Sequence, residues 1–187
     1  MTRQINNIIS VGYSFIRFTV IKAIHGNRFS FKGIQRFSPN TQLFFLNKGE
    51  IHLGKKVRVH TGTKIRAISG GKVSIGTNAT FNYNCMIVAL KSITIGKGVE
   101  FGPNVLVYDH DHDFRAKGGL KANKYRSEDV IIGDNTWVGA NTVILRGTKI
   151  GDNCVVGAGC VISGEYPDNS IITQKRETIT RNVKVNQ

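Results

Sequence analysis

Aliphatic residues recur every six positions in this chain, and that spacing constrains its fold more than any other feature. Ile132, Val138, Ile144, Ile150, Val156 and Ile162 fall six apart, with Gly133, Gly139, Gly151 and Gly157 behind four of them. The same phase runs upstream through Ile95, Phe101 and Val107, through Ile75, Phe81 and Ile87, and through Leu53, Val59 and Ile65. A helical apolar stripe needs spacings of three and four, and a long strand needs strict alternation. Period six suits neither. It suits short strands separated by bends, three to a turn, so that every third strand returns to the same face and the strands stack in parallel ladders. Gly133-Asp134-Asn135 and Gly151-Asp152-Asn153 put at the bends residues that tolerate positive φ. Between the triplets the register slips at 66–74 and 88–94, as corners of unequal length allow. The spacing predicts an all-β parallel solenoid over 41–172. Residues 1–40 do not repeat, and 173–187 form a tail.

One stretch breaks the rhythm. From Ile95 to Ile132 the phase advances by about twice what a three-strand turn needs, so a loop at about 109–129 must leave the coil. It opens with Asp109-His110-Asp111-His112-Asp113-Phe114-Arg115. Excursions from a rigid solenoid are common seats of function. His110 and His112 in this acidic run read as a solvated loop, as a catalytic imidazole, or as part of a metal site needing a third ligand from elsewhere.

In its repeats, over roughly 50–172, the chain resembles the hexapeptide-repeat acyltransferases. The offset from Gly102-Pro103-Asn104-Val105 to His112 is similar to that in the galactoside, maltose and xenobiotic acetyltransferase branch. The Tyr108-Asp109-His110-Asp111-His112 form looks most like the polysaccharide O-acetyltransferases of that branch. The resemblance implies a left-handed parallel β-helix and a homotrimer. It implies direct transfer of an acetyl group from acetyl-coenzyme A to a sugar hydroxyl, with no metal required. His112 would be the general base, and imidazole suits that task near neutral pH. Asp109, Asp111 and Asp113 are all near enough in sequence to orient it. Acceptor contacts are implied for Asn82, Asp109 and Trp137. Coenzyme contacts are implied for Ala140, Ala158, Ser163, Lys175 and Arg176, with the Ala140 N–H facing the developing oxyanion. The ending Thr173-Gln174-Lys175-Arg176-Glu177-Thr178 departs from the Ala-Gly-x-Pro-Ala-Lys type common in relatives. Ala89-Leu90 replaces carboxylates frequent in sugar-acetylating relatives.

With 26 Lys and Arg against 12 Asp and Glu, the formal charge is +14, and such a field draws polyanions of any kind. No nucleic-acid recognition element accompanies it. Cys85, Cys154 and Cys160 lie in apolar runs without metal-ligand spacing, which reads as apolar filling in a reducing compartment. The apolar stretch 5–24 is interrupted by Arg17 and Lys22 and predicts a short helical segment rather than a signal peptide or a membrane span. Two roles suit it: a cap on the open end of the coil, or an amphipathic surface on an anionic membrane. A cytoplasmic protein, at the inner face of the membrane if the second role holds, is the expectation. Two other functions fit a coil of this kind: a non-catalytic scaffold, and a γ-carbonic anhydrase-like zinc enzyme drawing on His52, His60, His110 and His112.

Overall fold

The computed structural model describes residues 2–181, with side chains from Asn7 onward. It is a three-faced parallel β-helix of six full turns and part of a seventh, headed by one helix, α1 (Thr2–His25). The first and second faces each carry seven strands and the third carries six. Inward side chains are those of the six-residue phase: Ile75, Phe81 and Ile87 on one turn stack on Ile95, Phe101 and Val107 on the next, and all are buried. Phe81 and Phe101 lie ring on ring, with centroids 4.7 Å apart.

Turn length explains the register slips. Ile132 pairs with Ile150, eighteen residues on, as three six-residue units require. Ile51 pairs with Val73, twenty-two residues on, because strands such as Lys64–Ala67 and Lys72–Ile75 carry four residues and the corner between them is longer.

The coil starts before residue 41. Phe29–Phe31 and Arg36–Phe37 already form strands of its first turn, paired with Glu50–Leu53 and Arg58–Val59. Phe31, Phe37 and Leu43 hold the six-residue spacing, but two of the three are aromatic and no Gly follows any of them. Those substitutions hide the turn from an aliphatic count.

The segment before it is longer than a short cap. Over 24 residues α1 lays Ser14 and Phe18 onto the exposed end of the core. Phe18 is wholly buried, edge-on to Phe29, Phe31 and Phe37 at 4.8 to 5.6 Å. Ser14 Oγ accepts the Phe37 N–H at 2.9 Å, and Arg17 donates to Thr41 Oγ1 at 3.1 Å. The inner face of the helix is therefore a cap. Its other face meets solvent.

Candidate active site

Corner chemistry decides which backbone groups stay open. At the edge between the first and second faces, the N–H of Lys55 is taken by Thr77 Oγ1, and those of Lys97, Asp134 and Asp152 by the carboxyl groups of Asp134, Asp152 and Asp168. At the edge between the second and third faces the matching residues are Ala140 and Ala158. A methyl group accepts nothing, and among the described residues neither N–H has an acceptor. Gly139 keeps the two turns close: a Cβ there would come within 2.5 Å of the Ala158 nitrogen. Two unclaimed donors thus stand on consecutive turns of one edge, whereas the Thr77 N–H at the other edge and the Thr61 N–H nearer α1 are open singly, among the described residues. An unclaimed, fixed N–H is what an oxyanion or an amide carbonyl needs.

The unusual C-terminal ending runs to the same edge. Gln174 imitates a strand, accepting the Val161 N–H at 2.9 Å and donating to the Val161 carbonyl at 2.7 Å. Arg176 donates to the Gly159 carbonyl, which brings a cation next to Ala158. Lys175 is exposed. Asn82 stands on this edge too, four turns nearer α1 than Arg176, with its Oδ1 on the Tyr83 N–H. Trp137 is exposed on the second face, between Glu100 and Val155 in the ladder. Ser163 lies on the other edge of the third face, the width of that face from Ala158.

The loop is an antiparallel ribbon leaving the edge between the third and first faces. His110–His112 pairs with Tyr125–Ser127, and a short 3-10 helix, Gly119–Ala122, lies in the connection between them. His112 is exposed, faces Tyr125 with ring centroids 4.6 Å apart, and makes no hydrogen bond through its ring among the described residues. Its neighbour differs. His110 Nδ1 lies 2.9 Å from Asp109 Oδ1, and Asp109 is wholly buried. Both Asp109 oxygens already accept backbone N–H groups, from Leu90 at 2.9 and 3.1 Å and from Lys91 at 2.7 Å. An ionised carboxylate only accepts, so this contact puts a proton on Nδ1 and leaves Nε2 outside the network.

Asp109 is thus engaged through both oxygens inside its own chain, where it pins the 90–91 corner and holds His110. Of the three carboxyl groups near the histidines, Asp111 turns to Arg146, whose Nε donates to it at 2.8 Å, and Asp113 lies 3.9 Å from Arg126. Arg146 also donates to Glu128, so one guanidinium ties both strands of the ribbon to the following turn, and these partners raise its pKa. Arg146 and Tyr125 were not legible as site residues. Each acts only through partners that the coil brings near, 35 and 13 residues away in sequence for Asp111 and His112.

A single chain thus gathers Asn82, Ala140, Ala158 and Arg176 on one edge, and Asp109, His110, His112 and Ser163 on another. The three cysteines are buried and free, and desolvation pushes the Cys85 thiol up to about 11, which suits packing and not nucleophilic attack. Among the described residues no group of three or more His, Cys, Asp or Glu is placed to hold a metal ion. His52 binds Glu50 and Ser30 on the first face, while His60 packs on Tyr83 at the second.

Residues 129–164 match the profile of the family described as bacterial transferase hexapeptide (six repeats). Among known proteins, the chain is similar to nodulation protein L of Rhizobium meliloti, 39% identical over 78 residues that cover 40% of each chain. It is similar to a galactoside O-acetyltransferase of Lactococcus lactis, 33% identical over 103 residues, 53% of this chain and 47% of that one. The chain thus spans less than half the length of those two relatives. It matches more of the Escherichia coli protein WbbJ, named for lipopolysaccharide biosynthesis O-acetyl transfer: 29% identity over 69% of this chain and 70% of that one. Two solved structures share the fold. A maltose O-acetyltransferase from Clostridium difficile superposes with a TM-score of 0.53 at 23% identity, over 89% of this chain and 82% of that one. A variant of AntD, an N-acyltransferase from Bacillus cereus in complex with dTDP and coenzyme A, gives 0.68 at 20% identity, over 82% and 84%. By its coil, and by the profile matched over residues 129–164, the chain carries the hexapeptide repeat of the bacterial transferases.

Proposed function

We propose that the protein transfers an acetyl group from acetyl-coenzyme A to a sugar hydroxyl, on a surface polysaccharide or its precursor. The observation that carries this reading is the pair of unclaimed N–H groups at Ala140 and Ala158, with Arg176 beside them. They form a line of donors ending in a cation, suited to a rod-shaped thioester with amide carbonyls and a phosphorylated head. Relatives named as galactoside and lipopolysaccharide O-acetyltransferases support the sugar acceptor. In this reading the imidazole of His112 takes the hydroxyl proton as the oxygen attacks the thioester carbonyl, the Ala140 N–H faces the oxyanion, and the imidazolium returns the proton to the departing thiolate.

A specific observation favours a second assignment of the base. His110, not His112, has a buried carboxyl partner fixing its tautomer, the arrangement that usually orients a catalytic imidazole. Release of coenzyme A thiol in the presence of a panel of sugars separates the two. His112→Ala is expected to lower turnover by about 100-fold or more with coenzyme binding kept. If His112→Ala retains turnover while His110→Ala abolishes it, the base is His110. If both variants equal the parent, the ribbon carries no base and acetyl transfer through it is wrong.

Asn82 and Trp137 stand away from the ribbon on a single chain. We therefore assign the acceptor site to a boundary between chains of a homotrimer, with the ribbon of one chain meeting the edge of the next.

A further inference from the structure

The cap explains one face of α1 and leaves the other unexplained. Ile8, Ile9, Phe15, Ile16, Val20 and Ile24 are each 52% to 72% exposed, on the side turned away from the coil. Ile16, Val20 and Ile24 follow one helical turn apart, half-exposed Tyr13 links them to Ile8 and Ile9, and α1 carries no acidic residue, so the exposure forms a strip rather than scattered points. The strip extends onto the first turn, because Phe15 and Ile34 line one apolar cleft with Phe18 and Phe31 between helix and coil. By length and composition α1 could even cross a membrane, yet Phe18 and Ser14 hold it flat against the core.

Charge says what covers the strip. Residues 1–99 hold 15 of the 26 Lys and Arg but only one acid, Glu50, so they carry the whole net charge of +14. The remaining 88 residues hold 11 of each sign and are neutral. The site edge and the ribbon lie largely in the neutral half, so this segregation does not follow from binding a phosphorylated coenzyme. The cations also adjoin the strip: Arg36, Lys56 and Arg58 line a hollow with Val11 and Ile34. A second protein chain of the same sequence would bring like charge against like charge there. An anionic bilayer supplies both an apolar layer and opposite charge.

We propose that the outward face of α1 is a membrane-docking surface, lying in the headgroup region of an anionic bilayer such as the cytoplasmic leaflet, with the cations of the first turns on lipid phosphates. The helix stays on the coil as it docks. The proposal does not depend on the acetyl-transfer reading.

Flotation of the full chain with phosphatidylglycerol-containing vesicles tests it, beside vesicles of phosphatidylcholine alone. Binding to the anionic vesicles at low salt is expected, weakened at least about tenfold on neutral vesicles and at high salt. The double variant Ile16→Asp with Val20→Asp should keep the melting temperature and lose flotation at least about tenfold. Should that pair disturb folding, Ile16→Trp serves instead, and its emission should shift to the blue on anionic vesicles only. Absence of flotation by folded protein at low salt overturns the proposal, as does undiminished flotation of the double variant. Wild-type protein that resists extraction by salt and alkaline carbonate would mean that α1 inserts, also against it. A variant that changes oligomeric state, from a parent that does not float, would assign the face to a second copy of the chain.

Discussion

His110 and His112 sit two residues apart on one strand, yet their surroundings differ in kind. His110 has its proton position fixed by a buried partner, whereas His112 has only a ring beside it. Asp109 does more than orient: removing it strips an acceptor from the N–H groups of Leu90 and Lys91. Asp109→Ala is therefore expected to destabilise the protein by on the order of 3 kcal/mol, read as a lower denaturation midpoint with an unchanged slope. Asp109→Asn, which keeps one acceptor oxygen, should lose less. The break in the repeat and the offset to His112 were legible as letters. The role of Asp109 was not, because its partners lie nearly twenty residues back and meet it only once the turn closes. Ala140 and Ala158 show the reverse: small residues where Asp stands at other corners are visible in the sequence, but their open N–H groups become apparent only beside the closed ones.

Among the elements, the coil was legible where each triplet is mostly aliphatic and at least one of its residues is followed by Gly. It was hidden in its first turn, where Phe31, Phe37 and Leu43 fill the same positions. The aromatic choice has a packing reason. The first turn of a solenoid has no preceding turn to cover it, and Phe29 and Phe37 instead meet Phe18 of α1 edge-on. Phe18→Ala should cost about 3–5 kcal/mol, since it empties a fully buried ring position at the junction. The same change at Phe15, on the exposed side of the helix, should cost less than about 0.5 kcal/mol. Urea unfolding of the two variants checks the orientation of α1: near-equal losses would mean that the helix does not cap the coil. The ribbon is the second element that spacing alone found only as a loop. Its two strands are set by cross-strand pairs such as Asp111 with Arg126 and His112 with Tyr125, which have no periodic signature.

On the whole molecule, the two clusters of site residues stand on different edges of one prism, which places the demand on assembly. A trimer with three times the chain mass of 20.6 kDa is the proposed state. If the acceptor site lies between chains, co-assembling inactive His112→Ala with inactive Asn82→Ala subunits should restore about a quarter of the sites in a random mixture. No recovery after verified subunit exchange would put the whole site within one chain. The charge has a direction as well. Its cationic excess gathers in the first turns and the later turns are neutral, so the proposed docking face and the Ala140, Ala158 and Arg176 edge fall on differently charged parts of the coil. Calorimetric titration of acetyl-coenzyme A into the purified protein decides whether this coil can serve acetyl transfer. The open donors at Ala140 and Ala158 and the cation of Arg176 predict saturable binding at one site per chain, weakened about tenfold by Arg176→Ala. Absence of any saturable heat at low salt, from folded protein, would rule out coenzyme-dependent transfer and leave the coil as a scaffold.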